Sequence, residues 1–210
     1  MSAEIVRGAL WANDLQRLDW LDPDRGDYVL SGTTMQVAEL AAAMEVPAAE
    51  IRQRLDRGCR VFVARTRCGV VAGWLWVSTD REWAAPIRQD LCFAGDECYS
   101  WDAGTLPEHR GRGLFTALLR HAGWRMARQG RRWMWGGIED ANLASRRSCI
   151  AAGFRPVVRL IAIHEPAPTR LRVQPADYAD PELVRRARVV LGLTLADGGR
   201  LLAEEAERRG

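Results

Sequence analysis

Residues 107–119 read Pro-Glu-His-Arg-Gly-Arg-Gly-Leu-Phe-Thr-Ala-Leu-Leu, an Arg-Gly-Arg-Gly loop set directly before an amphipathic stretch. Such a loop turns several backbone N–H groups toward one point, and a helix starting there adds the positive end of its dipole. Both features suit a diphosphate. Gly111 and Gly113 let the backbone approach an anion closely, while Arg110 and Arg112 bring charge. The stretch lacks the Lys-Ser/Thr of a P-loop and the spacing of a dinucleotide fingerprint. The plainer alternative is a glycine turn that opens a surface helix, with both arginines solvated.

Other candidate groups fall near this loop in the chain. On a strand over 97–106, Glu97, Tyr99, Trp101, Ala103 and Thr105 share one face by period two, and Asp102 points to the other. Glu139 and Asp140 sit in a loop just before Asn142, which can cap a short helix ending at Gly153. His109, His121 and His164 form no Ser-His-Asp or Cys-His pairing that spacing supports. Cys59, Cys68, Cys92, Cys98 and Cys149 make neither a metal-ligand spacing nor a disulfide framework, so reduced thiols and no metal are expected.

The elements that must position these groups follow from periodicity and punctuation. Residues 8–21 carry helical spacing (Leu10, Trp11, Leu15, Leu18, Leu21) and stop at Asp22-Pro23. A short strand at 27–31 precedes a helix capped by Thr34 and a second helix opened by Pro47. Residues 60–66 and 70–78 read as a hairpin, with Gly73 marking a bulge or a close backbone approach. Residues 79–96 are polar and are assigned to a substrate-side loop. After the strand at 97–106, Leu114, Phe115, Leu118, Ala122 and Met126 make one face of a helix that Gly130 stops. Strands at 132–138 and 155–164 flank the short helix, and Pro166 and Pro168 mark a boundary. Beyond lie a strand at 171–173, a helix begun by Asp180-Pro181-Glu182 and a last helix near 195–208. This order implies an α/β fold with a sheet of mixed direction.

Two motifs in that order resemble the GNAT superfamily of acyl-CoA-dependent N-acyltransferases. The loop resembles its Q/R-x-x-G-x-G/A pyrophosphate motif, with Phe115 in the final Gly/Ala position. Beginning 29 residues after Gly113, Asn142, Ser145, Gly153 and Phe154 keep the spacing of Asn-x-x-Ala-x-x-x-Tyr-x-x-x-Gly-Phe, with Cys149 where the family usually has Tyr. The resemblance covers about residues 27–165. It implies a mixed, mostly antiparallel central sheet, splayed between the fourth and fifth strands and flanked by helices. It also implies three segments: an N-terminal helical extension (1–26), an acyltransferase domain (27–165) and a mainly helical C-terminal extension (166–210).

The resemblance further implies acetyl-CoA as cosubstrate and a small-molecule amine as acceptor. Backbone groups of Ala103, Gly104, Thr105 and Leu106 would pair with pantetheine like an added strand. Arg110, Gly111, Arg112, Gly113, Leu114 and Phe115 would hold the pyrophosphate, with Asn142 and Ser145 beside the cosubstrate. Direct attack needs a neutral amine and a donor or stabiliser for the leaving thiolate. Glu97 is the expected base, directly or through water, against the alternative of an exposed strand-end carboxylate. Tyr99 stands about where some relatives carry a catalytic Glu and is the expected donor, with water as the alternative. Cys149 is read as a small buried hydrophobe in preference to a proton donor. The competing function is a catalytically weak acyl-CoA-binding sensor or scaffold.

Composition bounds these readings. The chain has 210 residues, 48% hydrophobic and 27% charged, as an ordinary globule does. No apolar run reaches membrane-spanning length and residues 1–25 lack a signal-peptide pattern, so the expectation is a cytoplasmic protein without membrane contact. Every basic side chain is Arg, and a net charge of +3 does not argue for nucleic acid as a partner. A homodimer is left open.

Overall fold

The computed structural model describes residues 4–19, 22–32, 37–164 and 169–193. The strands are β1 (Glu4–Asp14), β2 (Tyr28–Gly32), β3 (Arg60–Thr66), β4 (Val71–Ser78), β5 (Arg81–Ala84), β6 (Gln89–Cys92), β7 (Glu97–Thr105), β8 (Trp133–Glu139), β9 (Arg155–His164) and β10 (Arg170–Pro175). The helices are α1 (Val37–Met44), α2 (Ala48–Asp56), α3 (Leu114–Ala127), α4 (Leu143–Ala151) and α5 (Pro181–Val190). Eight strands form one sheet in the order β10-β9-β1-β8-β7-β4-β3-β2, and β5 and β6 make a separate hairpin. Neighbours in the large sheet are antiparallel except β7 and β8, which run parallel. This is the mixed, mostly antiparallel sheet expected from the sequence.

Helices cover both faces. On one, α3 and α4 bury Leu118, Leu119, Met126 and Cys149 against Ala9, Trp11, Phe62, Leu75 and Phe154. On the other, α1 and α2 set Leu40 and Ile51 against Val61, Val63 and Trp76. Beside them, α5 and the β5–β6 hairpin cover Leu10, Tyr99, Trp135, Val158 and Leu160.

This two-sided cover explains a correction. The helix expected over 8–21 does not begin where the spacing put it: residues 8–14 are not helical but belong to β1 (Glu4–Asp14), inserted between β8 and β9. Ala9 and Trp11 face α3 and α4, while Leu10 and Ala12 face α5 and the hairpin. A strand buried on both faces reads as a continuous apolar run, without the alternation that marks a half-exposed strand. Leu15 to Arg17 then form a single 3-10 turn. Residues 79–96 hold β5, a 3-10 turn at Ala85–Ile87 and β6. Gly73 lies against β7: a Cβ built on it would sit 2.9 Å from the Gly104 carbonyl oxygen. Of the C-terminal expectations, the strand runs from Arg170 to Pro175 and α5 is capped by the Asp180 side chain. Thr34 and the helix near 195–208 fall outside the described residues.

Candidate active site

The parallel strands β7 and β8 pair only from Glu97↔Trp133 to Ser100↔Gly136. Beyond that point they part. Trp101, Gly104 and Thr105 pair with β4, while Gly137, Ile138 and Glu139 pair with β1. The parting coincides with a register shift opposite Trp74 and Trp76, and Asp102 there adopts a φ of 38°. A bulge of this kind bends the strand and ends regular pairing. Arg54 of α2 braces it, pairing with Asp102 and Glu50 while its guanidinium covers the rings of Trp76 and Trp101 at 5.2 and 4.8 Å. Burial works against the Arg54 charge, but the bonds to Asp102 and Glu50 outweigh it and raise its pKa.

The glycine loop follows the free end of β7. Leu106 N–H bonds to the Ala72 carbonyl, a 3-10 turn spans Pro107–His109, and Arg110 Nε reaches back to the Thr105 carbonyl at 3.1 Å. Gly111 and Gly113 have φ of 76° and 71°, and a Cβ built on either meets nothing within 4 Å. Left-handed backbone facing open space is what an anion cradle needs. The first turn of α3 has no side-chain cap, so its leading N–H groups are left for solvent or a ligand. Arg112 lies 5.9 Å over the Tyr28 ring, whose hydroxyl meets His109 Nδ1 at 3.1 Å. Phe115 packs against the core beneath α3, so its bulk turns away from the loop.

A cavity of about 230 Å³ opens on the β8 side of the parting. Its polar lining is Tyr99, Glu139, Asn142 and Ser145; Leu10, Leu160, Ile87 and Leu91 supply much of the rest. Tyr99 stacks on Phe93 with ring centroids 5.6 Å apart. Its hydroxyl lies against the Gly137 backbone, where a built Cβ would come within 2.9 Å of the oxygen, so only glycine admits the phenol at that point. Burial pushes the Tyr99 pKa up to about 12; the bond from the Gly137 backbone lowers it in part and the Glu82 charge adds to the rise. Glu139 is exposed, and its carboxylate has no ion pair or hydrogen bond among the described residues. Asn142 Oδ1 accepts from Ser145 N–H at 3.0 Å and caps α4.

The expected base lies elsewhere. Glu97 is 3% exposed and does not line the cavity. It shares the face of Tyr99, but its carboxylate accepts from Arg186 of α5 at 3.0 Å and from Ala94 N–H at 2.9 Å. At Arg186, burial opposes the charge, and the bonds to Asp96 and Glu97 overcome it and raise the pKa. Glu97 is therefore neither an exposed strand-end carboxylate nor a free base; it fastens α5 to the start of β7. Glu97→Ala would leave Arg186 with only Asp96 and Glu182 and is expected to cost about 2 kcal/mol, because Arg186 is 31% exposed and the lost pair is only partly buried. Thermal melts should show that loss, while turnover per folded molecule stays within about threefold of wild type. A drop of two orders of magnitude without a change in melting would return the base to Glu97.

Cys149 is buried at 5% exposure in the α3–α4 core. Burial pushes its thiol up to about 11, partly offset by the bond with Ser145. Cys149→Ala is expected to cost about 1 kcal/mol of stability and leave turnover within about twofold. A large turnover loss at an unchanged melting point would instead give the thiol a catalytic role. Sequence reasoning missed a buried network near Tyr99: Trp101 Nε1 donates to Ser78 Oγ at 2.8 Å, and Ser78 Oγ donates to Glu82 at 2.6 Å. No local motif announces it, because Ser78, Glu82 and Trp101 meet only through the sheet and hairpin.

The acetyltransferase (GNAT) family model matches residues 20–154. No curated protein matches the chain. Among solved structures, an acetyltransferase from the GNAT family of Colwellia psychrerythraea is 18% identical with a TM-score of 0.52, covering 77% of this chain and 57% of its own. A GCN5-related N-acetyltransferase of Kribbella flavida is 18% identical with a TM-score of 0.55, covering 80% of this chain and 61% of its own. The chain thus spans less than two thirds of the length of either. A phosphinothricin acetyltransferase of Sinorhizobium meliloti in complex with AcCoA is 20% identical with a TM-score of 0.50, covering 74% of this chain and 97% of its own. These likenesses carry the fold, and the family model carries the membership: the chain belongs to the GNAT family of acetyltransferases.

Proposed function

We propose that the protein moves an acetyl or other short acyl group from acyl-CoA to the amine of a small-molecule acceptor by direct attack. The observation that carries this reading is the parting of β7 from β8 between an open glycine loop and a cavity holding a phenol and a free carboxylate. The N–H groups of residues 110–115 would receive the pyrophosphate, with Arg112 free of any carboxylate partner among the described residues to add charge. Pantetheine would lie along Ala103 to Leu106, which β8 leaves unpaired, with Asn142 and Ser145 as the facing wall. The acceptor approaches from the cavity. An amine arrives mostly as ammonium, so Glu139 takes one proton, directly or through water, before attack. The nitrogen then forms its bond to the thioester carbon, the carbon–sulfur bond breaks, and the second nitrogen proton ends on sulfur.

In this scheme Tyr99 stabilises the leaving sulfur by donating a hydrogen bond. Full transfer from a phenol near 12 to a thiolate whose conjugate acid lies near about 8.5 runs uphill, so the phenol is a donor and not the proton source. The test is an amine panel followed by free-thiol release from acetyl-CoA, with the acylated product identified by mass. Acceptor-dependent release with an amide product supports transfer. Tight acetyl-CoA binding with no turnover on any amine would leave a binding module.

A further inference from the structure

We infer that the cavity beside Tyr99 selects an amine whose body is compact, apolar and free of anionic groups. This deepens the proposed transfer reaction and rests on it. The walls come from three places: Val6 and Leu10 of β1, Leu160 of β9, and Ile87 and Leu91 of the hairpin segment. The chain holds 30 arginines, yet among the described residues no arginine and no histidine lines the cavity. A carboxylate or phosphate carried in with the acceptor would be desolvated without a cation and would face Glu139, the one charged group among the described lining residues. An ammonium held toward Glu139 has a partner, and the groups behind it meet Leu10, Leu160 and Ile87.

Size sharpens the inference. About 230 Å³ falls below the roughly 300–1,000 Å³ of sites for drug-sized ligands. That matches a phenyl or branched alkyl group on a short stem. The roof is held in place: His164 Nε2 donates to the Pro86 carbonyl at 2.9 Å, and its Nδ1 lies in hydrogen-bond contact with Thr169 Oγ1 at 3.1 Å. The Pro86–Ile87 turn is thereby tied to β9, so the cavity is preformed. Val6, Leu10 and Leu160 all lie outside residues 20–154, so the specificity walls are built from parts of the chain that the family match does not reach.

The test compares 2-phenylethylamine, phenylalanine, ethylamine and glucosamine as acceptors with acetyl-CoA. The expected kcat/KM for 2-phenylethylamine exceeds those for phenylalanine and glucosamine by roughly 100-fold or more, and that for ethylamine by roughly tenfold. Ile87→Trp, which fills the cavity from its half-buried roof, should remove most of the advantage over ethylamine, and Ile87→Arg should narrow the gap to phenylalanine. A second arm holds ethylamine fixed and lengthens the acyl group: a preference for octanoyl-CoA that Ile87→Trp abolishes would mean the cavity holds the acyl chain and overturn the inference. Equal or better use of the anionic or polyhydroxyl amines also overturns it. If acetyl-CoA binds but no amine turns over, the transfer reading fails on its own. Saturation-transfer NMR of 2-phenylethylamine with the CoA complex then decides the subsite. A transfer signal in the wild type that disappears in Ile87→Trp supports it, and no signal in the wild type overturns it.

Discussion

Gly113→Asp is expected to lower acetyl-CoA affinity by roughly 100-fold or more, measured by calorimetry, with the fold intact. Gly113 has a φ of 71°, a conformation that costs an L side chain about 1–2 kcal/mol, and it is the N-cap of α3. Nothing lies within 4 Å of a Cβ built there, so the start of the new side chain clashes with no atom of the protein. Its carboxylate would stand in the space where the loop N–H groups and the α3 dipole converge and would occupy it as an anion in place of the ligand. The stability effect is correspondingly small, since Asp is a good N-cap in its own right and offsets part of the backbone strain. Gly113→Ala separates the two contributions: it carries the strain without the charge and should weaken binding far less. Unchanged affinity in Gly113→Asp would remove the pyrophosphate from this loop and with it the proposed orientation of the cosubstrate.

The loop was legible because its chemistry is local. Positive-φ glycines, an uncapped helix start and the apolar face of α3 are written in consecutive residues from Arg110 to Met126. Asn142 as the cap of α4 was legible for the same reason. The alternation in β7 placed Glu97 and Tyr99 on one face, as the structure has them, but a period says nothing of what covers each position. Glu97 meets Arg186, 89 residues away on α5, while Tyr99, two positions on, meets the cavity. That difference is decided by where α5 docks.

β1 was illegible for a related reason. Burial on both faces erased its alternation, and the apolar residues left behind matched a helical spacing equally well. With β1 misplaced, a sequence reader has no way to see that Val6, Gly8 and Leu10 line a cavity with Leu160 and Ile87, because that meeting requires β1 to lie between β8 and β9. Glu139 could be noted in a loop before Asn142, but its unpaired state and its place beside Tyr99 follow from the pairing Gly8↔Glu139.

That placement yields the second large effect. Glu139→Gln is expected to lower turnover roughly 100-fold at saturating acetyl-CoA, with acetyl-CoA affinity within about twofold of wild type. Gln keeps the size and hydrogen-bonding reach of Glu, so loss of the charge and of the proton-accepting carboxylate is isolated from loss of packing. The pH profile gives the sharper reading. Protonating a carboxylate base removes activity as pH falls, so the wild type should show an acid limb that Glu139→Gln flattens. Tyr99 cannot supply that limb: burial holds its phenol near about 12, and it stays protonated throughout the range where the limb is read. Glu97 is paired with Arg186 away from the cavity, and the melting curve of each variant checks that α5 stays docked. The amine must still shed a proton in Glu139→Gln, and bulk water reaching this exposed position sets the residual rate. Turnover within about twofold of wild type, with the acid limb unchanged, would assign deprotonation to water alone and leave Glu139 as no more than an electrostatic guide for the ammonium.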